Sequence, residues 1–407
     1  MPTFHRHTLS NGLTVLAEAN PGSHTAAVGF FVKAGTRDED RAVMGVSHFL
    51  EHMMFKGSAR RSADDVNREF DEIGANYNAY TSHEQTVYYA QVLPEYLPRA
   101  VDLLGDILRP ALRDDDFEME RRVILEEISM YEDRPQWRLQ DALLEDYFQH
   151  HPLSYRVLGT AQSIQQLSPE QMRQYFQERY GPENIVVAAA GRLDFDDFVR
   201  DVEHAAGHWQ PGSASRRYDE PAPAAAQRSL VDPKLNRHHL AVMCPGPSAQ
   251  DPRRYAARVL ADVLGDSEGS RLYWALIDPG LADEADFDYT PYDRTGGYIA
   301  YASCDVDRAP EVEAKLLETI DRLGEAIDPD EVERVKNKLA TQVTLQGESP
   351  GGRMRELGTR WLYLDSYATL EEELEQVMAV TVDDLHQLIQ TYPFQPRAIV
   401  RLGPREV

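Results

Sequence analysis

The chain has 407 residues, which exceeds one ordinary domain, so two or more domains are expected, each able to bury a core. Its 68 acidic and 42 basic residues give a formal net charge of −26, which argues against binding to nucleic acid or to anionic membranes. The acidic surplus fits a role in solubility first, and it mildly favours cationic ligands. No apolar run is long enough to span a membrane, no signal-peptide core begins the chain, and two cysteines are too few for a disulfide framework. A cytoplasmic location is expected.

The first half of the chain alternates short strands with helices. An Asn-Gly turn at residues 11–12 predicts a hairpin, and residues 25–34 predict a further strand. Helices are expected after residue 41, over 62–73, over 97–108 and from 114 past 131, and a second hairpin over 74–92. The continuous apolar run 185–190 predicts a central buried strand. The first half is therefore expected to be an α/β unit whose helices cover a largely antiparallel sheet.

The composition turns small, polar and proline-rich near residues 210–224, which indicates a linker. Beyond it the order of elements partly recurs, with strands near 239–243 and 297–304 and helices over 252–264, 308–325, 328–347 and 350–363. We therefore predict an α+β fold of two related α/β halves. Their boundaries are an N-terminal domain of residues 1–212, a linker of residues 213–228 and a C-terminal domain of residues 229–407.

Two histidines four residues apart, with a glutamate beside the second, form the pattern H-x-x-E-H at residues 48–52. On an α-helix His48 and His52 lie one turn apart on one face, and Glu51 points about 60° to one side. Imidazoles are good zinc ligands, and a free carboxylate can take a proton from a water molecule beside the metal. The pattern also occurs by chance on solvated helices, but this one is surrounded by apolar residues, and buried polar side chains need a partner. The stretch therefore predicts half of a zinc hydrolase site, and the second half of the chain has no copy of it.

A catalytic zinc takes a third protein ligand, and the best candidate lies on the helix that includes residues 118–130. Glu120 and Glu127 are close to two turns apart, so they share one stripe of this helix. Glu127 can ligate the metal while Glu120 accepts a hydrogen bond from a ligand histidine. Glu126 sits about 100° round the helix and should face elsewhere. Spacing alone leaves open that both are ordinary solvated glutamates.

The H-x-x-E-H stretch and the Met-Met-Phe-Lys-Gly that follows it resemble the signature of the pitrilysin-type inverzincin peptidases. That family includes insulin-degrading enzyme and the mitochondrial processing peptidase. The likeness continues in residues 78–81, 122–128, 158–160, 180–184 and 348–358, and the length matches the short two-domain members. It implies a zinc endopeptidase with one zinc per chain. The roles it implies are ligation by His48, His52 and Glu127, activation of a water by Glu51 and support of a ligand by Glu120.

The resemblance also implies how a peptide is bound. The two halves would enclose a chamber like the shells of a clam, and the peptide would add as a strand to a sheet edge near the metal. Main-chain hydrogen bonds then supply affinity without sequence demand. In this chain that edge is expected at residues 74–81, where Asn78, Ala79 and Tyr80 would contact the substrate. An ordinary hairpin strand remains the alternative.

One segment departs from the family pattern. Many members carry an Arg and, a few residues later, a Tyr that grip the peptide near the scissile carbonyl. Ile277 and Asp283 stand at those positions here, and neither can donate a hydrogen bond to a developing oxyanion. We therefore hypothesise that this chain is the metal-bearing member of a heterodimer whose other chain supplies the Arg and Tyr. A homodimer, or a slow enzyme without the grip, is also compatible with the sequence.

A second hypothesis is that the chain is a structural protein and not an enzyme. Core subunits of respiratory complexes share this fold without catalysis, so the chain could be a structural assembly subunit. Such subunits usually lose motif residues. All four motif residues, His48, Glu51, His52 and Glu127, are present here, which favours the peptidase. The sequence identifies neither the substrate nor the oligomer.

Overall fold

The protein is described by a computed structural model over residues 2–212, 214–266 and 268–406. Ser213, the first residue of the predicted linker, and the two chain ends, Met1 and Val407, lie outside the described residues, as does Ser267. Within the described ranges, no helix is long and apolar enough to cross a membrane.

Runs of strands and runs of helices follow one another along the described chain. The strands are β1 (Thr3–Thr8), β2 (Thr14–Ala19), β3 (Ala26–Val32), β4 (Asn76–Thr81), β5 (Thr86–Val92), β6 (Ile185–Gly191), β7 (Ala226–Val231), β8 (His238–Pro245), β9 (Glu284–Tyr292), β10 (Thr295–Cys304) and β11 (Ala398–Gly403). The α-helices are α1 (Val46–Met54), α2 (Ala63–Glu72), α3 (Leu97–Ile107), α4 (Asp114–Glu132), α5 (Pro135–Phe148), α6 (Ala161–Gln166), α7 (Pro169–Arg179), α8 (Phe195–Ala206), α9 (Arg254–Gly265), α10 (Ala309–Asp321), α11 (Pro329–Glu348), α12 (Pro350–Leu364), α13 (Leu370–Met378) and α14 (Val382–Thr391).

The first sheet has the strand order β1-β2-β6-β3-β5-β4. Only the β2–β6 pair among these described strands is parallel, and the other four pairs are antiparallel. Strands β3 and β6 are buried along their whole length, which explains their continuous apolar sequences. Strand β4 forms one edge of this sheet, and that edge is where the candidate site lies.

The second sheet has the order β7-β11-β8-β10-β9. Its single parallel pair among the described strands is β7–β11, and its other pairs are antiparallel. This order and these directions match β2-β6-β3-β5-β4 of the first sheet, strand for strand. The prediction of an α+β fold with two largely antiparallel, helix-covered sheets is therefore confirmed, and the shared topology supports two related halves. Helix α9 takes the chain position that α1 has in the first half, without the histidines.

The chain forms two compact units that are not contiguous in sequence. The first contains residues 1–129, 155–217 and 345–367, and the second contains residues 130–154, 218–344 and 368–407. Helix α12 packs on β3 and β6 of the first unit, and α5 packs on β8 and β11 of the second. Apolar side chains drive both placements. Met354, Leu357 and Trp361 of α12 share a buried cluster with Phe31 of β3. Helix α5 likewise shares a buried cluster with β8 and β11. The predicted domain boundaries at 212–213 and 228–229 stay a prediction. Each compact unit contains residues from both sides of the predicted linker.

Candidate metal centre

Helix α1 is buried along most of its nine residues. It begins after Gly45, whose φ of +92° is a left-handed conformation that suits glycine, and a Cβ there would lie 2.8 Å from the carbonyl oxygen of Leu158. On its inner face Phe49 stacks on Phe117 of α4, with the ring centroids 4.4 Å apart. This packing fixes α1 against α4, and these two helices carry the candidate metal ligands.

One atom from each of His48, His52 and Glu127 converges on one point. The Nε2 atoms of His48 and His52 lie 3.7 and 3.5 Å from Oε2 of Glu127, and the three ligand atoms are all within 4.8 Å of one another. Two ligands of a tetrahedral zinc ion, each about 2.0–2.2 Å from it, lie about 3.5 Å apart. The donor set, two imidazoles and one carboxylate, is also that of known catalytic zinc sites. The three residues therefore fit the ion that the sequence predicted.

His52 is held by a carboxylate behind it. Its Nδ1 lies 3.0 Å from Oε2 of Glu120, which is 2% exposed, and Lys56 Nζ lies 2.5 Å from the other oxygen of that carboxylate. Burial would raise the pKa of Glu120, but the hydrogen bond with His52 and the ion pair with Lys56 outweigh it and lower the pKa. An ionised Glu120 accepts the Nδ1–H of His52 and leaves Nε2 facing Glu127. Burial would lower the pKa of His52, but Glu120 and Glu127 raise it to about 9, so a metal ion that binds Nε2 would release the proton held there.

His48 lies deeper and is held differently. It is 7% exposed, and its Nδ1 has no hydrogen-bond partner among the described residues. Burial, reinforced by the neighbouring His52, lowers the pKa of His48 to about 4. A neutral imidazole at neutral pH keeps a lone pair for a metal ion.

The hydrogen bond with His52 is the main factor that lowers the pKa of Glu127, which favours the carboxylate form that a ligand requires.

Glu51 contacts strand β4. Its Oε2 accepts a 2.6 Å hydrogen bond from the hydroxyl of Thr81. Burial raises the pKa of Glu51, and the Thr81 bond opposes that rise. A raised pKa brings a carboxyl group closer to the range in which it exchanges protons at neutral pH.

The residues predicted to bind substrate lie along the edge strand β4, in register with β5. Ala79 packs against the cluster that contains α1, whereas Tyr80 packs on the opposite face of the sheet, with Phe31 and the residues of α12. Asn78 is exposed, and its Oδ1 accepts the backbone N–H of Ala79 at 2.9 Å. Only alternate side chains of β4 can therefore face the candidate metal centre.

The positions expected to hold an Arg and a Tyr lie in the second unit. Ile277 ends a π-helical turn over Tyr273–Ile277 and packs against the core of that unit. Asp283 precedes β9, where its side chain lies 3.1 Å from Arg237.

Sequence reasoning missed two residues of the first unit that contact the candidate centre. Lys56 lies just beyond the end of α1 and pairs with Glu120 of α4, a tertiary contact that helical spacing does not indicate. Thr81 reaches Glu51 across 30 positions, and no local pattern signals that contact.

The chain has two helix-covered sheets, and helices of the first unit hold a His-His-Glu triad with Glu51 beside it. This combination defines the class of two-domain α+β proteins with a candidate catalytic metal centre. Residues 14–161 match the family model of insulinase (peptidase family M16), and residues 166–339 match that of the peptidase M16 inactive domain. The chain belongs to peptidase family M16.

Named relatives agree with this assignment. An uncharacterized zinc protease of Bacillus subtilis is 30% identical over 402 residues, which cover 98% of each chain. A protease from Helicobacter pylori has a similar structure, with a TM-score of 0.93 and 19% identity over 99% of this chain and 100% of the other. A chain of complex III2 from Candida albicans has a TM-score of 0.86 and 20% identity over 98% of this chain and 96% of the other. At these identities the two structures show the fold alone.

Proposed function

We propose that this chain is a zinc-dependent endopeptidase. The observation that carries the proposal is the convergence of His48, His52 and Glu127 with Glu51 beside them. The name of the B. subtilis relative, a zinc protease, supports it. A zinc ion bound there would supply a Lewis acid that polarises a peptide carbonyl and lowers the pKa of a nearby water molecule.

Residues of the protein would then carry out the proton transfers. Glu51 would accept a proton from the attacking water and return it to the leaving amine nitrogen. Thr81 holds the Glu51 carboxylate by one oxygen, which leaves the other oxygen to exchange protons. Glu120 keeps His52 in the tautomer that presents Nε2. Removal of the Glu51 carboxyl charge should therefore stop proton transfer while the metal ligands stay in place.

The substrates we propose are peptides or unfolded segments. Strand β4 has a free edge among the described strands, and a peptide adding to it would bind through main-chain hydrogen bonds. Asn78, Ala79 and Tyr80 lie along that edge. Folded proteins seldom offer an unpaired extended segment, so they would be poor substrates.

The chain is further proposed to act with a partner. Ile277 and Asp283 occupy the positions where many family members carry peptide-gripping residues, so a second, related chain would supply an Arg and a Tyr. A homodimer is the competing arrangement.

A second candidate function is a non-catalytic assembly subunit. The fold is compatible with that role, because a chain of complex III2 shares it at a TM-score of 0.86. The three converged ligand residues and the adjacent Glu51 oppose it, since a purely structural subunit needs none of them.

One experiment separates these functions. Bound zinc and cleavage of a quenched peptide panel are measured for wild type, Glu51→Gln and the control Glu126→Gln, which alters an exposed glutamate of α4. We expect about one zinc per chain in all three and a loss of activity of about 10²–10⁴-fold in Glu51→Gln alone.

Each assay is run with the chain alone and with co-purifying chains. Cleavage only with a second, different chain supports divided labour, and full turnover by the chain alone contradicts it. A wild type that holds no zinc and cleaves nothing in any arm would leave the assembly subunit as the better account.

A further inference from the structure

The segment before α1 is fixed by charged side chains on every residue from 37 to 39. Arg37 Nη1 lies 2.6 Å from Oε1 of Glu84, and both side chains are buried. Arg216 binds Asp38 through Nε at 3.0 Å and Nη2 at 2.7 Å. Glu39, the next residue, is 2% exposed and turns towards α1. Its neighbours therefore leave its carboxylate little freedom to move.

Glu39 binds the N-terminus of the metal-bearing helix with both oxygens. Oε1 accepts the backbone N–H of Ser47 at 2.8 Å, and Oε2 accepts that of Gly45 at 2.8 Å. The first amides of a helix have no partner within the helix and carry its positive dipole end, so a carboxylate there is favourable. Gly45 has no side chain, so Glu39 does what a capping side chain would otherwise do from six residues upstream.

The two histidines depend on the helix backbone to different degrees. The ring of His52 is fixed by Glu120 through Nδ1. The ring of His48 has no such bond, because its Nδ1 lacks a partner among the described residues. His48 directly follows Ser47, whose amide Glu39 holds. Its Nε2 is therefore placed by packing and by the backbone at the start of α1.

We propose that Glu39 is a positioning residue that holds His48 in place for the metal ion through the backbone of Gly45 and Ser47. This inference rests on the proposed zinc site. It assigns to Glu39 an effect on metal affinity, beyond the stability that any helix cap supplies. Burying a carboxylate is costly, and burial raises the pKa of Glu39 to about 7 although the amide hydrogen bonds from Ser47 and Gly45 oppose the rise.

The test compares two buried carboxylates of the first unit. Glu39→Gln keeps the shape, but its amide nitrogen then faces a backbone N–H that it cannot accept. The control Glu18→Gln alters a residue that is 5% exposed and binds Arg353 at 3.0 Å, away from α1. Zinc affinity of each full chain is measured at pH 7.5 by competition with a chromophoric chelator, and the stability of the metal-free chain by urea unfolding.

We expect Glu39→Gln to weaken zinc binding about 10–100-fold, the range found when supports of metal ligands are removed. Glu18→Gln should lose stability and keep wild-type zinc affinity. Equal zinc affinity in Glu39→Gln and wild type would overturn the inference and leave the proposed function intact. Equal losses in both variants would also overturn it, since they would show a general effect of stability.

Tyr175→Phe covers the case in which Glu39→Gln does not fold. The Tyr175 hydroxyl lies 2.7 Å from Oγ of Ser47, so its removal loosens the same helix start more gently. A zinc affinity several-fold below wild type supports the inference, and an unchanged affinity overturns it. A wild type that binds no zinc would overturn the proposed function, and this inference with it.

Discussion

Thr81 shows how much one hydroxyl can matter to the proposed general base. It donates a 2.6 Å hydrogen bond to Glu51 from the edge strand along which we propose that substrate binds. We predict that Thr81→Val, which keeps the shape and removes the donor, lowers kcat about 10-fold and leaves zinc content unchanged. Steady-state kinetics on a peptide cleaved by wild type, with metal analysis of the same samples, check this.

Thr81→Ser is the matched control for that prediction, because it restores the hydroxyl without the methyl group. It should recover most of the lost kcat. If Thr81→Val and Thr81→Ser lose activity equally, packing of the methyl group, and not the hydrogen bond to Glu51, explains the effect.

At the same scale, the sequence predicted contacts that depend on helical spacing and missed those that depend on tertiary structure. His48 and His52 share a face because they are one turn apart, and Glu120 and Glu127 share one because they are nearly two turns apart. The structure brings these four side chains together, and their chemical roles remain predictions. The contact of Glu39 with the start of α1 requires a buried loop whose course no periodicity reveals.

Among the elements, α12 depends on a helical glycine that touches the sheet. A Cβ at Gly358 would lie 2.3–2.5 Å from ring atoms of Phe31, which is fully buried in β3. Alanine gains about 1 kcal/mol over glycine in helix propensity, while overpacking a core costs about 1–3 kcal/mol. We predict that Gly358→Ala lowers the free energy of unfolding by about 1 kcal/mol, because the cost of overpacking against a buried ring exceeds the gain in helix propensity. Urea unfolding measures it.

Gly324→Ala is the control, since a Cβ there meets Ile389 at 3.6 Å, an ordinary contact. It should change the free energy of unfolding by less than about 0.5 kcal/mol. A Gly358→Ala protein as stable as wild type would mean that β3 and α12 can move apart at little cost.

The positions of helices and strands could largely be predicted from the sequence, but the sheet on which each helix packs could not. The helix predicted over 62–73 forms as α2, and its start is marked by the capping pair Ser62 and Asp65, a signal that lies within four residues. The placement of α5 on the second sheet and of α12 on the first could not be predicted, since each helix packs on strands far from it in sequence. Apolar faces indicate that a helix is covered without indicating which sheet covers it.

For the whole molecule, the acidic surplus makes stability depend on pH. Two half-buried carboxyl groups, Asp286 on β9 and Asp262 on α9, lie near other acids. Burial raises the pKa of Asp286 to about 7, with Asp288 and Glu284 adding to it, and burial together with Asp266 raises that of Asp262 to about 6. In the unfolded chain such groups have a pKa near 4. Between these pKa values the folded state binds more protons than the unfolded state. The contribution of these groups to the free energy of unfolding is therefore complete below about pH 4 and is lost as the pH rises through 6–7.

We therefore predict that the metal-free protein has a lower free energy of unfolding at pH 8 than at pH 5.5, and that Asp286→Asn removes about 2 kcal/mol of that difference. The amide cannot ionise, so position 286 no longer carries a partly buried charge at pH 8. Urea unfolding at both pH values, in the presence of a chelator, measures the effect, with the exposed Asp133→Asn as a control that should keep the wild-type difference. If Asp286→Asn retains the full difference, solvent or a rearrangement of β9 relieves the charge, and the pH dependence must come from other acids.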